Sequence, residues 1–140
     1  MSSSLPNLMR LNRWKLDEKR RLLGEMEKLA EQIQQDILAL DQAVEQEKAV
    51  ATNSTQLATG FTAFYEAALQ RRENLKTSMA QVMGKIDQAR EEVAQSFREL
   101  KKYELAHANM EKKKKQKLSR KEQSFLDDLG LELHRRKNCS

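Results

Sequence analysis

The chain has 140 residues, is 39% hydrophobic and 34% charged, and carries one proline, four glycines and a net charge of +5. That balance leaves too little apolar material for a wide globular core, and its richness in Ala, Glu, Lys, Leu and Gln is the composition of long helices. No apolar run approaches the roughly 20 residues that span a bilayer. The start has no apolar signal-like segment. Cys139 is the lone cysteine and stands second from the end, so no prenylation box is expected. A cytoplasmic protein is the simple reading.

In chain order, Met1 to Ser4 read as a polar, frayed end, and Pro6 suits the first turn of a helix. Stepping alternately by four and three from Leu5 gives Met9, Asn12, Leu16, Lys19, Leu23, Met26, Ala30, Ile33, Ile37, Leu40, Val44, Glu47 and Ala51. A repeat averaging 3.5 residues keeps one narrow apolar stripe on one side of a helix, and such a stripe needs a partner. Leu8, Leu11, Leu22 and Leu29 widen the stripe, enough to bury more than one partner surface. Thr52 to Gly60 then break the pattern with three Thr, an Asn, a Ser and a closing Gly, a turn signal. Asn53 followed by Gln56 would cap a second helix that starts a few residues early.

The second stripe runs through Phe61, Tyr65, Ala68, Arg72, Leu75, Met79, Val82, Ile86, Ala89, Val93, Ser96, Leu100, Tyr103, His107 and Met110, and then meets only Lys114, Lys117 and Lys121. Two long stripes joined by one short connection predict an antiparallel pair. Folding the chain about Gln56 sets Ile33 near Met79, Met26 near Ile86 and Ile37 near Leu75, though a slip of one heptad satisfies the same pattern. Each arm would be about 70 Å long. The expected fold class is therefore all-α: a long two-helix antiparallel coiled-coil hairpin over residues 1–108, with its turn about 52–60, and an overhanging basic C-terminal helical extension over 109–140.

Charge sharpens this layout. Residues 31–70 hold one Lys or Arg against six Asp or Glu, while residues 109–140 hold ten against five and residues 1–30 seven against four. The turn end of the hairpin is predicted acidic and its open end basic. Within the extension, Lys112 to Lys115 and Lys117 form a basic run, Ser119 with Glu122 would cap a short helix, and Phe125, Leu126, Leu129 and Leu133 sit at helical spacing. Gly130 interrupts that helix, and His134-Arg135-Arg136-Lys137 close it. An amphipathic segment with no partner in its own chain points to docking on another protein.

Signatures of catalysis are missing. The sequence contains no glycine-rich phosphate loop, no Cys/His metal cluster and no nucleophile elbow. Glu91–Glu92 and Asp127–Asp128 are adjacent carboxylates, and adjacent residues on a helix do not face each other. No enzyme activity, cofactor, metal or small-molecule substrate is expected. The lysine run reads first as a solvated helix face, and second as a contact for an acidic partner, nucleic acid or anionic lipid. Nucleic acid is disfavoured because no aromatics are interleaved with the basic residues. Trp14, among Arg10, Arg13 and Lys15, is either an exposed binding anchor or packed beside Leu100 or Tyr103. Phe61, Phe64 and Tyr65 read first as a cluster capping the tip, and second as a partner site.

Two terminal motifs go beyond pattern. The opening Leu8-Met9-Arg10-Leu11-Asn12-Arg13-Trp14-Lys15-Leu16-Asp17-Glu18-Lys19-Arg20-Arg21-Leu22 resembles the start of FliJ-type flagellar export proteins. The basic run Lys112–Lys117, followed by Phe125-Leu126-Asp127-Asp128-Leu129 and His134-Arg135-Arg136, looks like the tail of the same family. The resemblance implies a cytoplasmic part of the flagellar export apparatus, peripheral at the inner membrane. It implies a stalk and adaptor between a hexameric flagellar export ATPase and a membrane export gate protein, which also serves other export chaperones. By this resemblance Arg13, Trp14, Asp17, Arg20, Arg21, Lys112, Lys113, Lys114, Lys115, Lys117, Phe125, Leu129, Arg135 and Arg136 would enter the ATPase ring. Phe61, Phe64 and Tyr65 would lie nearer the gate contact. The other readings are an injectisome counterpart, a generic coiled-coil protein that dimerises through the widened N-terminal stripe, and a basic nucleic-acid-binding protein.

Overall fold

The computed structural model describes residues 4–53 and 55–138, and all of their side chains except those of 55–57. Met1 to Ser3 of the polar end, the side chain of Gln56 from the expected capping pair, and Cys139 lie outside that description. Two helices account for almost everything described: α1, Ser4–Ala51, and α2, Thr55–Asn138. They pack against each other as an all-α helical hairpin. The sequence dictates this locally, because good helix formers fill both segments and the only proline, Pro6, falls in the first turn of α1, where its missing N–H costs nothing.

Packing divides the chain into two units, one of residues 14–97 and one of residues 1–13 with 98–140. In the first, Leu16, Ile33, Ala68, Val82, Ile86 and Ala89 are buried. Every one is a stripe position. Ile33, Val82 and Ile86 form the centre, with Leu23, Met26, Ala30, Ile37, Leu75 and Met79 packed around them. Within this unit ion pairs tie α1 to α2 at Asp41 with Arg72 and at Lys19 with Glu92. Both are centred along the chain on Gln56 to within one position. The register is therefore the one obtained by folding about that residue, not its one-heptad slip. Early residues of α1 meet late residues of α2, so the pair is antiparallel.

The connection is tighter than its composition suggests. α1 reaches Ala51, Thr52 and Asn53 make the turn, and α2 is under way at Thr55. Gly60, expected to close the turn, lies inside α2. Among the described residues none, glycine included, adopts a positive φ. The last carbonyls of α1 are satisfied without one: the Thr52 N–H donates to Lys48 O at 3.1 Å, the Asn53 N–H to Val50 O at 3.2 Å, and the Thr52 hydroxyl to Ala49 O at 2.8 Å. Backbone groups left unpaired at a helix end are thus taken up by the threonine and asparagine themselves.

In the second unit Leu100 is buried, and Leu5, Met9, Asn12, Tyr103 and His107 are half-buried. The Asn12 amide turns back to donate to Leu8 O at 2.7 Å, which satisfies a polar residue on an apolar stripe. From Ala108 to Asn138 every residue is exposed except Glu132, which is half-exposed. The separate short helix expected to start at Ser119 is not there, because Ser119 and Gly130 are both interior to α2. No proline stops the helix, one glycine costs only about 1 kcal/mol, and hydrogen bonds four residues apart support it on the outside. These are Gln123 to Asp127 at 3.0 Å and Asn138 with His134 at 3.1 Å.

Candidate functional site

Three surfaces hold the candidate residues. The first lies in the 14–97 unit on the outer side of α1. Trp14 is 60% exposed, which is the state an anchor requires. Trp14, Asp17 and Arg21 follow one another at spacings of three and four, so they share a face pointing away from the apolar stripe, while Arg20 flanks the stripe. Arg21 is held by carboxylates of its own helix, donating to Glu25 at 2.7 Å and to Glu18 at 2.9 Å. Hydrogen bonding and proximity to Glu18, with the Glu25 charge behind it, raise its pKa above the ordinary arginine value. It presents a fixed cation.

The second surface, also in the 14–97 unit, is near the turn. Phe61 is half-buried and its ring stacks on Tyr65, with centroids 5.7 Å apart and planes 27° from parallel. Phe64 and Tyr65 are exposed. Tyr65 forms one wall of an open groove of about 440 Å³, lined also by Leu40, Asp41, Val44, Glu45, Ala68, Leu69 and Arg72. Across it the Arg72 guanidinium grips Asp41 with both of its carboxylate oxygens, Nε to Oδ1 at 2.9 Å and Nη2 to Oδ2 at 3.3 Å. The Arg72 hydrogen bond is the main reason the Asp41 carboxyl sits below its usual pKa, and Asp41 in return raises Arg72. Sequence reading found the aromatics but missed the groove. Its signal was present in Arg72, a cation inside an apolar stripe, which needs a carboxylate within reach.

The third surface is the end of α2, in the unit of residues 1–13 and 98–140. Lys112, Lys113, Lys114, Lys115 and Lys117 are all exposed, with Phe125 at 66% and Leu129 at 45%. Arg135 and Arg136 both lean on Glu132, at 3.9 and 3.5 Å. Arg13, in the same unit, reaches Glu104 at 3.9 Å, and Glu104 also takes Lys101 at 3.1 Å. Leu118, which the sequence reading passed over, is exposed and ringed by Lys114, Lys117 and Lys121. It lies seven residues before Phe125 and extends that apolar face by two turns.

Among the described residues no polar side chain is buried, and no three His, Cys, Asp or Glu gather in one place. Charge and apolar contact are what these surfaces offer a partner. The family described as flagellar FliJ protein matches residues 1–139. The chain belongs to the FliJ family. It is thus a component of the flagellar protein export apparatus, and the family is a non-catalytic one. No curated protein and no solved structure matches it. Both terminal motifs that resemble FliJ proteins lie on helix faces that this FliJ-family chain leaves open: Trp14, Asp17 and Arg21 on α1, and Lys112 to Arg136 on α2.

Proposed function

We propose that the protein is a stalk and adaptor between the hexameric flagellar export ATPase and the membrane export gate, and that it escorts other export chaperones. The family match over residues 1–139 carries this reading. In it, the hairpin of residues 1–108 is the shaft and residues 109–140 are the working extension. Arg13, Trp14, Asp17, Arg20 and Arg21, with Lys112 to Lys117, Phe125, Leu129, Arg135 and Arg136, meet the ATPase ring. The groove beside Tyr65, with Phe61 and Phe64, meets the gate. Many weak, exposed, charged contacts suit a shaft that must step between equivalent ring subunits, because exposed ion pairs form and break cheaply. One deep anchor would lock it. The protein would then work at the cytoplasmic face of the inner membrane, held there by its partners. No described helix is long and apolar enough to cross a bilayer.

The test is ATP hydrolysis by the purified export ATPase with the full chain added, compared with a truncation ending at Ala108. Stimulation by the full chain and its loss on truncation support the reading. A full chain that neither binds nor stimulates the ATPase removes it.

A further inference from the structure

Residues 112–138 of α2 combine a dense basic run with an exposed apolar arc. Between Lys112 and Lys121 there are seven Lys or Arg and no carboxylate. Leu118, Phe125, Leu126, Leu129 and Leu133 are exposed by 59, 66, 58, 45 and 57%. At 3.6 residues per turn these five fall within an arc of about 100° on one side of the helix. Leu118 lies among Lys114, Lys117 and Lys121, and Phe125 and Leu126 share a shallow hollow with Lys121. The long lysine stems can lie along apolar surface while their ammonium heads reach outward.

We propose that this segment lies on an anionic phospholipid surface, with the Leu118–Leu133 arc entering the interface and the flanking lysines paired with phosphate headgroups. Two observations select a lipid surface over another occupant. The apolar arc carries a phenylalanine and four leucines along about 22 Å, the pattern of a helix that lies in the interface without crossing it. Juxtaposed polybasic charge supplies the second attachment that a weakly apolar helix needs. Asp127 and Asp128 lie outside the arc. Glu122 is the one carboxylate within it, beside Phe125 and Leu126, and it opposes an anionic surface. Lys112 to Lys117, Phe125 and Leu129 are also the residues assigned above to the ATPase ring, so one copy of the chain cannot hold ring and lipid with this segment at once.

The experiment is flotation of the full chain with vesicles of phosphatidylglycerol mixed with phosphatidylcholine, against vesicles of phosphatidylcholine alone. Binding to the anionic vesicles only is expected. Phe125→Gln with Leu129→Gln keeps good helix formers at exposed positions and should weaken binding about tenfold or more. Glu122→Gln should strengthen it several-fold. Circular dichroism checks that both variants keep their helicity. Equal binding to neutral vesicles, no binding to either, or full binding by the Phe125/Leu129 variant overturns the proposal. So does complete displacement of the wild type by single-stranded RNA together with insensitivity to the Phe125/Leu129 change, which would mark a general polyanion site. ATPase stimulation, measured separately on the same variants, tells a failure of this proposal from a failure of the stalk reading.

Discussion

A few side chains carry the core of the 14–97 unit. Ile86 is the most buried residue, 2% exposed, against Ile33 at 7% and Val82 at 8%. Ile86→Ala should lower the unfolding free energy by about 2–5 kcal/mol, read as a lower urea midpoint in circular dichroism. The Asp41–Arg72 pair acts differently. The carboxyl pKa is lowered in the folded state, so the pair contributes stability above the ordinary aspartate pKa of about 4 and loses it as pH falls through the lowered value. The difference in urea midpoint between the wild type and Asp41→Asn should therefore be greatest near neutral pH and shrink in acid. Both side chains are half-exposed, so the difference is small and salt shortens it further.

The two helices differ in how much of them the sequence announced. The stripes were legible residue by residue, because a 3.5-residue repeat in an antiparallel pair leaves almost no freedom about which side chains go inside. Of the α1 stripe only Glu47 is exposed, and of the α2 stripe only Tyr65 and Met110. Boundaries were less legible. Turn-forming residues at 52–60 and glycine at 130 are weak local votes, and a helix already propagating on both sides outvotes them. Of the candidate site, Trp14 and the terminal charges could be seen in the sequence. The groove beside Tyr65 showed there only through Arg72, a cation inside an apolar stripe, because its walls are made by residues of both helices. The glycines give a test at this scale. Gly24, Gly84 and Gly130 are helical, have negative φ, and a Cβ at any of them would meet nothing within 4 Å. Gly84→Ala should stabilise the chain by about 0.5–1 kcal/mol, seen as a higher melting temperature. Gly130→Ala should raise helicity without moving that transition.

For the molecule as a whole the question is what its exposed surface is for. Leu22, Leu29, Leu69, Met83 and Phe97 remain exposed along the 14–97 unit, so the hairpin closes its central seam and leaves its flanks available to other proteins. That suits a member of an export assembly better than a self-sufficient domain. The two cations set in the seam of this unit, Lys19 and Arg72, have a mechanical consequence. They act as keys in keyways. Sliding one helix past the other by a heptad, so that the turn moves towards α1, would bring Lys19 opposite Ile86 and Arg72 opposite Ile33, parting each from its carboxylate. An apolar seam alone would tolerate that slide, whereas polar seam residues fix register at a cost in stability. Replacing both by leucine should raise the melting temperature and yet admit a second register. Spin labels at the exposed Gln32 and Gln81 would then report two distances in place of one, from helices displaced by roughly 10 Å. The native pair of keys holds the helices of the 14–97 unit to one register.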